Sequence, residues 1–170
     1  EKTITKEDFI LNYWEQKPIV FKSFINNAEK LIDKNDLFFM AKDESYETRL
    51  VHFKNDHWSV TDGPFESEAF IRDAKAWTLI NHNLENNFES VHELKKQLSF
   101  LPLWLFDDAM STLSNKGSSV GAHIDNYNVF ILQLDGKREW QIQHNPKKDF
   151  IQGLEVKILE EFTPDKSFIL

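Results

Sequence analysis

The apolar positions of this chain change their period several times, and each change marks a predicted element. Phe9, Ile10, Tyr13 and Trp14 recur at helical spacing behind Thr5-Lys6-Glu7-Asp8, an N-cap followed by acids, so a helix is expected that ends by Pro18. Ile19-Val20-Phe21 is a short β-branched and aromatic run and predicts a first strand. Asn35-Asp36 caps a predicted second helix through about Lys42, carrying Leu37, Phe38 and Met40. From Glu47 the period falls to two. Arg49-Leu50-Val51-His52-Phe53 and His57-Trp58-Ser59-Val60 predict a hairpin around Lys54-Asn55-Asp56. Gly63-Pro64-Phe65 breaks it, Glu66 to about Asp73 reads as helical, and Trp77-Thr78-Leu79-Ile80 reads as a strand. Ser90-Val91-His92-Glu93 is a capping-box pattern opening a helix with Val91, Leu94 and Leu98 on one side. Pro102 stops that helix, and Ala109 to Leu113 begins another strand.

The stretch from Val120 to Gln143 is the most informative. Two apolar runs flank Asp135-Gly136, which predicts a two-residue hairpin turn. Leu134 then pairs with Lys137, Gln133 with Arg138, Ile131 with Trp140 and Val129 with Ile142. Arg138 falls on a mostly apolar face that bears no acid, and a cation there needs an anionic partner. A ligand carboxylate gripped by the guanidinium fork would serve. At the other end, Phe168-Ile169-Leu170 has the pattern of mid-strand, so the last element is expected to be unfinished, with an apolar edge unpaired. Early helices followed by closely spaced strands give an α+β class with a strand-rich second half.

Composition narrows the chemistry. The 170 residues suit one domain, and fifteen Phe, five Trp and 28% charged residues make a globular composition. No apolar run approaches the roughly 18 residues of a membrane span, and the N-terminus lacks a signal-peptide pattern, so a cytoplasmic protein without membrane association is expected. With no cysteine, disulfides, thiolate metal sites and cysteine nucleophiles are excluded, and any metal must be held by His and carboxylate. A net charge of -8 disfavours direct nucleic-acid binding and would suit a basic peptide partner, although solubility alone also accounts for it.

His123 and Asp125 are two apart, so on an extended backbone both project from one face and could chelate a divalent metal. One further His would complete a two-His-one-carboxylate triad with open positions on iron(II). A straight strand from Asp125 to Gln133, at about 3.3 Å per residue, would separate this pair from Arg138 by roughly 26 Å. One small ligand cannot bridge that distance, so a shared site requires the backbone to turn at Asn126-Tyr127-Asn128. His52, His57, His82 and His92 read as structural polar residues. Asp107-Asp108 reads as the turn before a strand, with a role in receiving a basic substrate side chain as the alternative.

Taken together, His123-Ile124-Asp125, Tyr127, Val129-Phe130-Ile131, Gln133, Gly136, Arg138 and Trp140 resemble the JmjC-type, cupin-fold 2-oxoglutarate oxygenases. The chain is more closely similar to the bacterial ribosomal oxygenases, which hydroxylate an arginine of a large-subunit ribosomal protein. Trp14-Glu15-Gln16-Lys17-Pro18, Arg49-Leu50-Val51, Gly63-Pro64-Phe65-Glu66-Ser67, Leu101-Pro102 with Trp104, and Asp107-Asp108 extend the resemblance over most of the chain. It implies a JmjC/cupin double-stranded β-helix (jelly-roll) with N-terminal helices, residues 1–105 being scaffold and 106–170 part of the β-helix core of one domain. It implies iron(II) on His123 and Asp125, 2-oxoglutarate on Arg138 and Ser114, a ribosomal protein substrate, and a homodimer formed through regions outside this sequence. The family's distal His is expected beyond Leu170, since His144 lies in a loop too soon after the predicted hairpin. The alternatives are a non-catalytic cupin-like binding module or fragment lacking the third iron ligand, and a different cupin reaction on a small molecule.

Overall fold

The structure, a computed structural model, describes residues 4–22, 24–70 and 76–170. Its centre is a four-stranded antiparallel sheet in the order β2-β1-β3-β4, built from β1 (Thr48–Lys54), β2 (His57–Asp62), β3 (Trp77–Asn81) and β4 (Ser111–Ser114). A separate two-stranded sheet pairs β5 (Glu139–Ile142) with β6 (Lys166–Ile169). Three short helices, α1 (Lys6–Asn12), α2 (Lys34–Met40) and α3 (Glu89–Gln97), complete the α+β arrangement.

The β1–β2 hairpin forms where the sequence predicts it. Asn55 and Asp56 both take left-handed conformations, φ 52° and 58°, between the paired ends Lys54 and His57. Asn and Asp tolerate that region better than other side-chain-bearing residues, and two successive positive φ values match the right-handed strand twist.

β3 lies between β1 and β4 and is buried on both faces. Leu79 stands opposite Leu50 and Leu113, and with Trp77 and Ala41 it forms a core cluster lined by Phe38, Phe65 and Phe70. A second cluster, of Leu37, Met40, Leu84 and Val91, joins α2 to α3. α2 therefore contributes to the core from its Leu37 and Met40 face, as expected of a short amphipathic helix.

Several predicted elements are corrected. Residues 19–21 form no strand; Phe21 instead joins an aromatic group with Phe9 and Phe24, so ring packing replaces a ladder. α2 ends at Met40, and Asp33 is its cap, accepting from the Asn35 N–H at 2.7 Å. In α3 the residue before the helix is Phe88, and the Ser90 hydroxyl donates to the Leu31 carbonyl, so the capping box is not made. The predicted helix from Glu66 is a 3-10 turn over Ser67–Phe70, and its expected continuation at 71–73 lies outside the described residues. The strand expected at 109–113 begins at Ser111.

The largest correction concerns the second hairpin. The chain bends at Asp135 and Gly136, but residues 129–134 form no strand. β5 is taken by β6 instead, with Trp140 opposite Phe168, and Arg138 and Leu170 exchange both backbone hydrogen bonds at 3.0 Å. Val129 and Ile131 are consequently about half exposed. The Phe168-Ile169 strand expected from the sequence is present as the partner that displaces the local pairing.

Candidate functional site

Alternation along β3 sends Thr78 and Ile80 to the sheet face opposite Trp77 and Leu79. The ladder then sets Ser114 directly across from Thr78 and Thr112 across from Ile80. This second face is polar at its β4 edge. Thr78 Oγ1 and Ser114 Oγ are 2.8 Å apart. Across Thr112 and Ser114 lies the guanidinium of Arg138, with Nη1 donating to Thr112 Oγ1 at 2.9 Å and Nη2 to Ser114 Oγ at 2.6 Å. The backbone exchange with Leu170 holds the arginine beside β6 while its side chain reaches the larger sheet.

Partial burial holds the Arg138 pKa below the usual guanidinium value, and no carboxylate among the described residues contributes to the shift. Its partners here are neutral hydroxyls that can accept its protons without cancelling its charge. A partly desolvated cation so held is suited to an incoming anion.

The loop after β4 is tied down in sequence. Asn115 Oδ1 accepts from the Trp77 N–H at 2.9 Å and from the Ser118 hydroxyl. Ser119 Oγ accepts from the Gly121 N–H at 3.0 Å. Gly121 has φ +84°, and a Cβ there would stand 2.8 Å from the Ile158 side chain, so both conformation and space require glycine. Ile158 pairs with His123 in an isolated bridge, and the Leu159 N–H donates to the Ala122 carbonyl at 2.8 Å.

His123 Nδ1 lies 2.8 Å from the Gly121 carbonyl oxygen. A carbonyl only accepts, so Nδ1 carries the proton, and in the neutral ring Nε2 keeps its lone pair. Nε2 stands 3.6 Å from Asp125 Oδ2, and both side chains reach solvent. One imidazole nitrogen and one carboxylate oxygen, facing each other, are suited to two positions on a divalent metal. No group of three or more His, Cys, Asp or Glu gathers for a metal among the described residues. His144 stays with Asp165, whose Oδ2 accepts from the His144 backbone N–H at 2.7 Å and lies 3.2 Å from Nδ1.

Beyond Asp125 the chain bends at Asn126 and Tyr127, so no unbroken strand runs through residues 124–132. The Tyr127 phenol is pushed above its usual pKa, first by the Asp125 charge, then by burial, Asp108 and Asp107. Those causes place several negative charges around one ring beside the His123–Asp125 pair. The Asp107-Asp108 segment is braced before β4: His82 Nδ1 lies 3.4 Å from Asp108 Oδ2, and Glu85 Oε2 accepts from the Ala109 N–H at 2.9 Å.

The structure thus brings Arg138 and Ser114 together and sets His123 beside Asp125. Sequence reasoning missed Thr112 and Thr78. Thr112 carried a signal, since it sits two residues before Ser114 on a predicted strand and shares its face. Thr78 carried none, because one threonine in an apolar run is ordinary in a strand.

Known proteins resemble this chain in sequence and in fold. Residues 93–170 match the JmjC domain family. The chain is 33% identical over 171 residues to the ribosomal protein uL16 3-hydroxylase of Escherichia coli, covering 95% of this chain and 46% of that protein. It is 34% identical over 140 residues to a probable ribosomal oxygenase of Haemophilus influenzae, covering 82% of this chain and 35% of that one. The chain therefore spans less than half the length of these curated relatives. Among solved structures, Escherichia coli YcfD superposes with a TM-score of 0.85 at 27% identity, over 100% of this chain and 46% of that one. The YcfD ribosomal oxygenase in complex with cobalt and 2-oxoglutarate gives a TM-score of 0.80 at 28% identity, over 99% and 44%. No helix among the described residues is long and apolar enough to cross a membrane. Residues 93–170 match the JmjC domain family, and over nearly its whole length this chain is similar in sequence and fold to the bacterial ribosomal oxygenases.

Proposed function

We propose that this chain is the N-terminal and partial catalytic region of an iron(II)- and 2-oxoglutarate-dependent oxygenase that hydroxylates an arginine of a large-subunit ribosomal protein. The observation that carries the reading is the Arg138 guanidinium, held on two hydroxyls with no acid among the described residues to neutralise it. Its fork binds the far carboxylate of 2-oxoglutarate, and Ser114 adds a hydroxyl at the same place. His123, through Nε2, and Asp125 supply two of the metal's ligands. Iron(II) held there would supply dioxygen activation for the oxidative decarboxylation of 2-oxoglutarate coupled to hydroxylation.

The chain's own residues supply placement. The Gly121 carbonyl orients the imidazole and keeps the donor nitrogen free. The bend at Asn126 and Tyr127 allows the metal pair and the arginine to serve one ligand. Asp107 and Asp108, whose charges are felt by Tyr127, favour a basic substrate side chain over an acidic one. Residues 106–170 are the part of the double-stranded β-helix that carries this site, and residues 1–105 form its scaffold.

The test is turnover of 2-oxoglutarate with iron in the full natural chain, together with the mass of a peptide from a large-subunit ribosomal protein. A gain of one oxygen on an arginine is expected. Metal binding without 2-oxoglutarate turnover and without oxygen addition would sink the reading.

A further inference from the structure

The direction of the hydrogen bonds beneath Arg138 follows from the chemistry of the groups. A guanidinium only donates, so Ser114 Oγ accepts from Arg138 Nη2 at 2.6 Å. Ser114 Oγ lies 2.8 Å from Thr78 Oγ1, and either hydroxyl can donate to the other. Thr78 has no exposed surface, so its own proton has no access to bulk water. The Ser119 carbonyl, 3.4 Å away, can take it. When Thr78 gives its proton to that carbonyl, the bonds run one way, from Arg138 through Ser114 and Thr78 to Ser119. Ser119 lies two residues before Gly121, whose N–H bonds the Ser119 hydroxyl and whose carbonyl holds His123.

We infer that Thr78 is a positioning residue that holds the Ser114 hydroxyl and, through it, the Arg138 fork. The inference rests on the reading above for the identity of the anion, 2-oxoglutarate, but its geometry stands apart from that identity. Thr78 has no exposed surface to offer a ligand. It supplies the acceptor that fixes the Ser114 hydroxyl, so that the serine lone pair faces the guanidinium. Through its own proton it ties that arrangement to the Ser119 backbone. Valine has the shape of threonine without the hydroxyl, and would leave the Ser114 proton and the Ser119 carbonyl without this partner. Serine keeps the hydroxyl and loses only a methyl group.

The experiment compares wild type, Thr78→Val and Thr78→Ser in the full natural chain, with two readouts. The first is affinity, with manganese in place of iron, for 2-oxoglutarate and for oxalate, which chelates the metal but lacks the far carboxylate. Thr78→Val is expected to weaken 2-oxoglutarate about tenfold, the effect of one hydrogen bond at a charged site, while oxalate is unchanged. Thr78→Ser is expected to stay within about twofold of wild type for both, because the hydroxyl is retained. The second readout needs no ligand: nitrogen NMR of the Arg138 guanidinium, whose rotation is slow when its nitrogens are held. Faster rotation is expected in Thr78→Val and not in Thr78→Ser. Equal loss of oxalate and 2-oxoglutarate, a serine variant as weak as the valine variant, or unchanged guanidinium rotation in Thr78→Val overturns the inference. If wild type binds no 2-oxoglutarate yet Thr78→Val frees the guanidinium, the cofactor reading fails and the positioning role stands.

Discussion

Thr78 and Leu79 are neighbours on β3, both with no exposed surface, and they do different things. Leu79 faces Leu50, Leu113 and Trp77, and its burial removes apolar surface from water. Thr78 faces Ser114 and, through it, Arg138. Equal burial therefore conceals unequal roles. One face of the sheet is filled by volume and tolerates only changes that preserve it. The other is organised by donors and acceptors and responds to changes that leave volume alone.

Substitutions that separate the two faces sharpen the contrast. Leu79→Ala should have the largest effect on stability, about 2–5 kcal/mol, read as a lower urea midpoint. The molecules that remain folded should bind 2-oxoglutarate with nearly wild-type affinity; a large loss of affinity in that folded fraction would break the separation of faces. Arg138→Met should do the opposite. Removing charge-assisted bonds of about 1.5–3 kcal/mol lowers 2-oxoglutarate affinity some ten- to hundredfold by titration calorimetry, with little change in the urea midpoint.

Gly121→Ala probes where the two kinds of constraint meet. The left-handed backbone and the Ile158 contact predict a cost of about 1–3 kcal/mol in thermal or urea unfolding, together with weaker metal binding because His123 hangs on the Gly121 carbonyl. Unchanged metal affinity with reduced stability would assign the glycine to packing alone. The smallest effect is expected at Asp165, whose carboxyl is held below its usual pKa, chiefly by the His144 backbone N–H and then by the His144 side chain. Its contribution to stability is complete above the ordinary carboxylate pKa of 3.8 and is lost as pH falls through the lowered folded value. Melting curves of wild type and Asp165→Asn should therefore differ at neutral pH and converge in acid.

The scaffold was legible in the sequence wherever local chemistry decided the outcome. Asn55-Asp56 between two strands of alternating pattern specifies its turn within four residues, and the ladder follows. The candidate ligands were legible for a similar reason, since two residues of separation on an extended backbone set His123 and Asp125 on one side. Pairing over long separations was not legible. Nothing local to Val129-Phe130-Ile131 announces that Glu139–Ile142 will choose Lys166–Ile169, because a remote strand can displace a turn-closed one at no visible cost in pattern. The expectation of an anion on Arg138 came from that mistaken hairpin, whereas its observed partners are two hydroxyls of β4. A charge on an apolar stretch demands a polar partner under either pairing, and here Thr112 and Ser114 meet that demand. Ser90 shows the same limit on a smaller scale, its capping pattern intact while its hydroxyl serves Leu31.

The contact between Gly121 and Ile158 has an evolutionary consequence. The two positions lie far apart in the chain, yet the space for a side chain at 121 is what the isoleucine already fills. Among descendants of this sequence they cannot drift independently. A lineage that enlarges residue 121 must first, or at once, shrink residue 158, and it must also accept a strained backbone at 121. Across an alignment the pair should show glycine held fixed while 158 varies only among side chains no bulkier than isoleucine, leaving that route closed to single-step change.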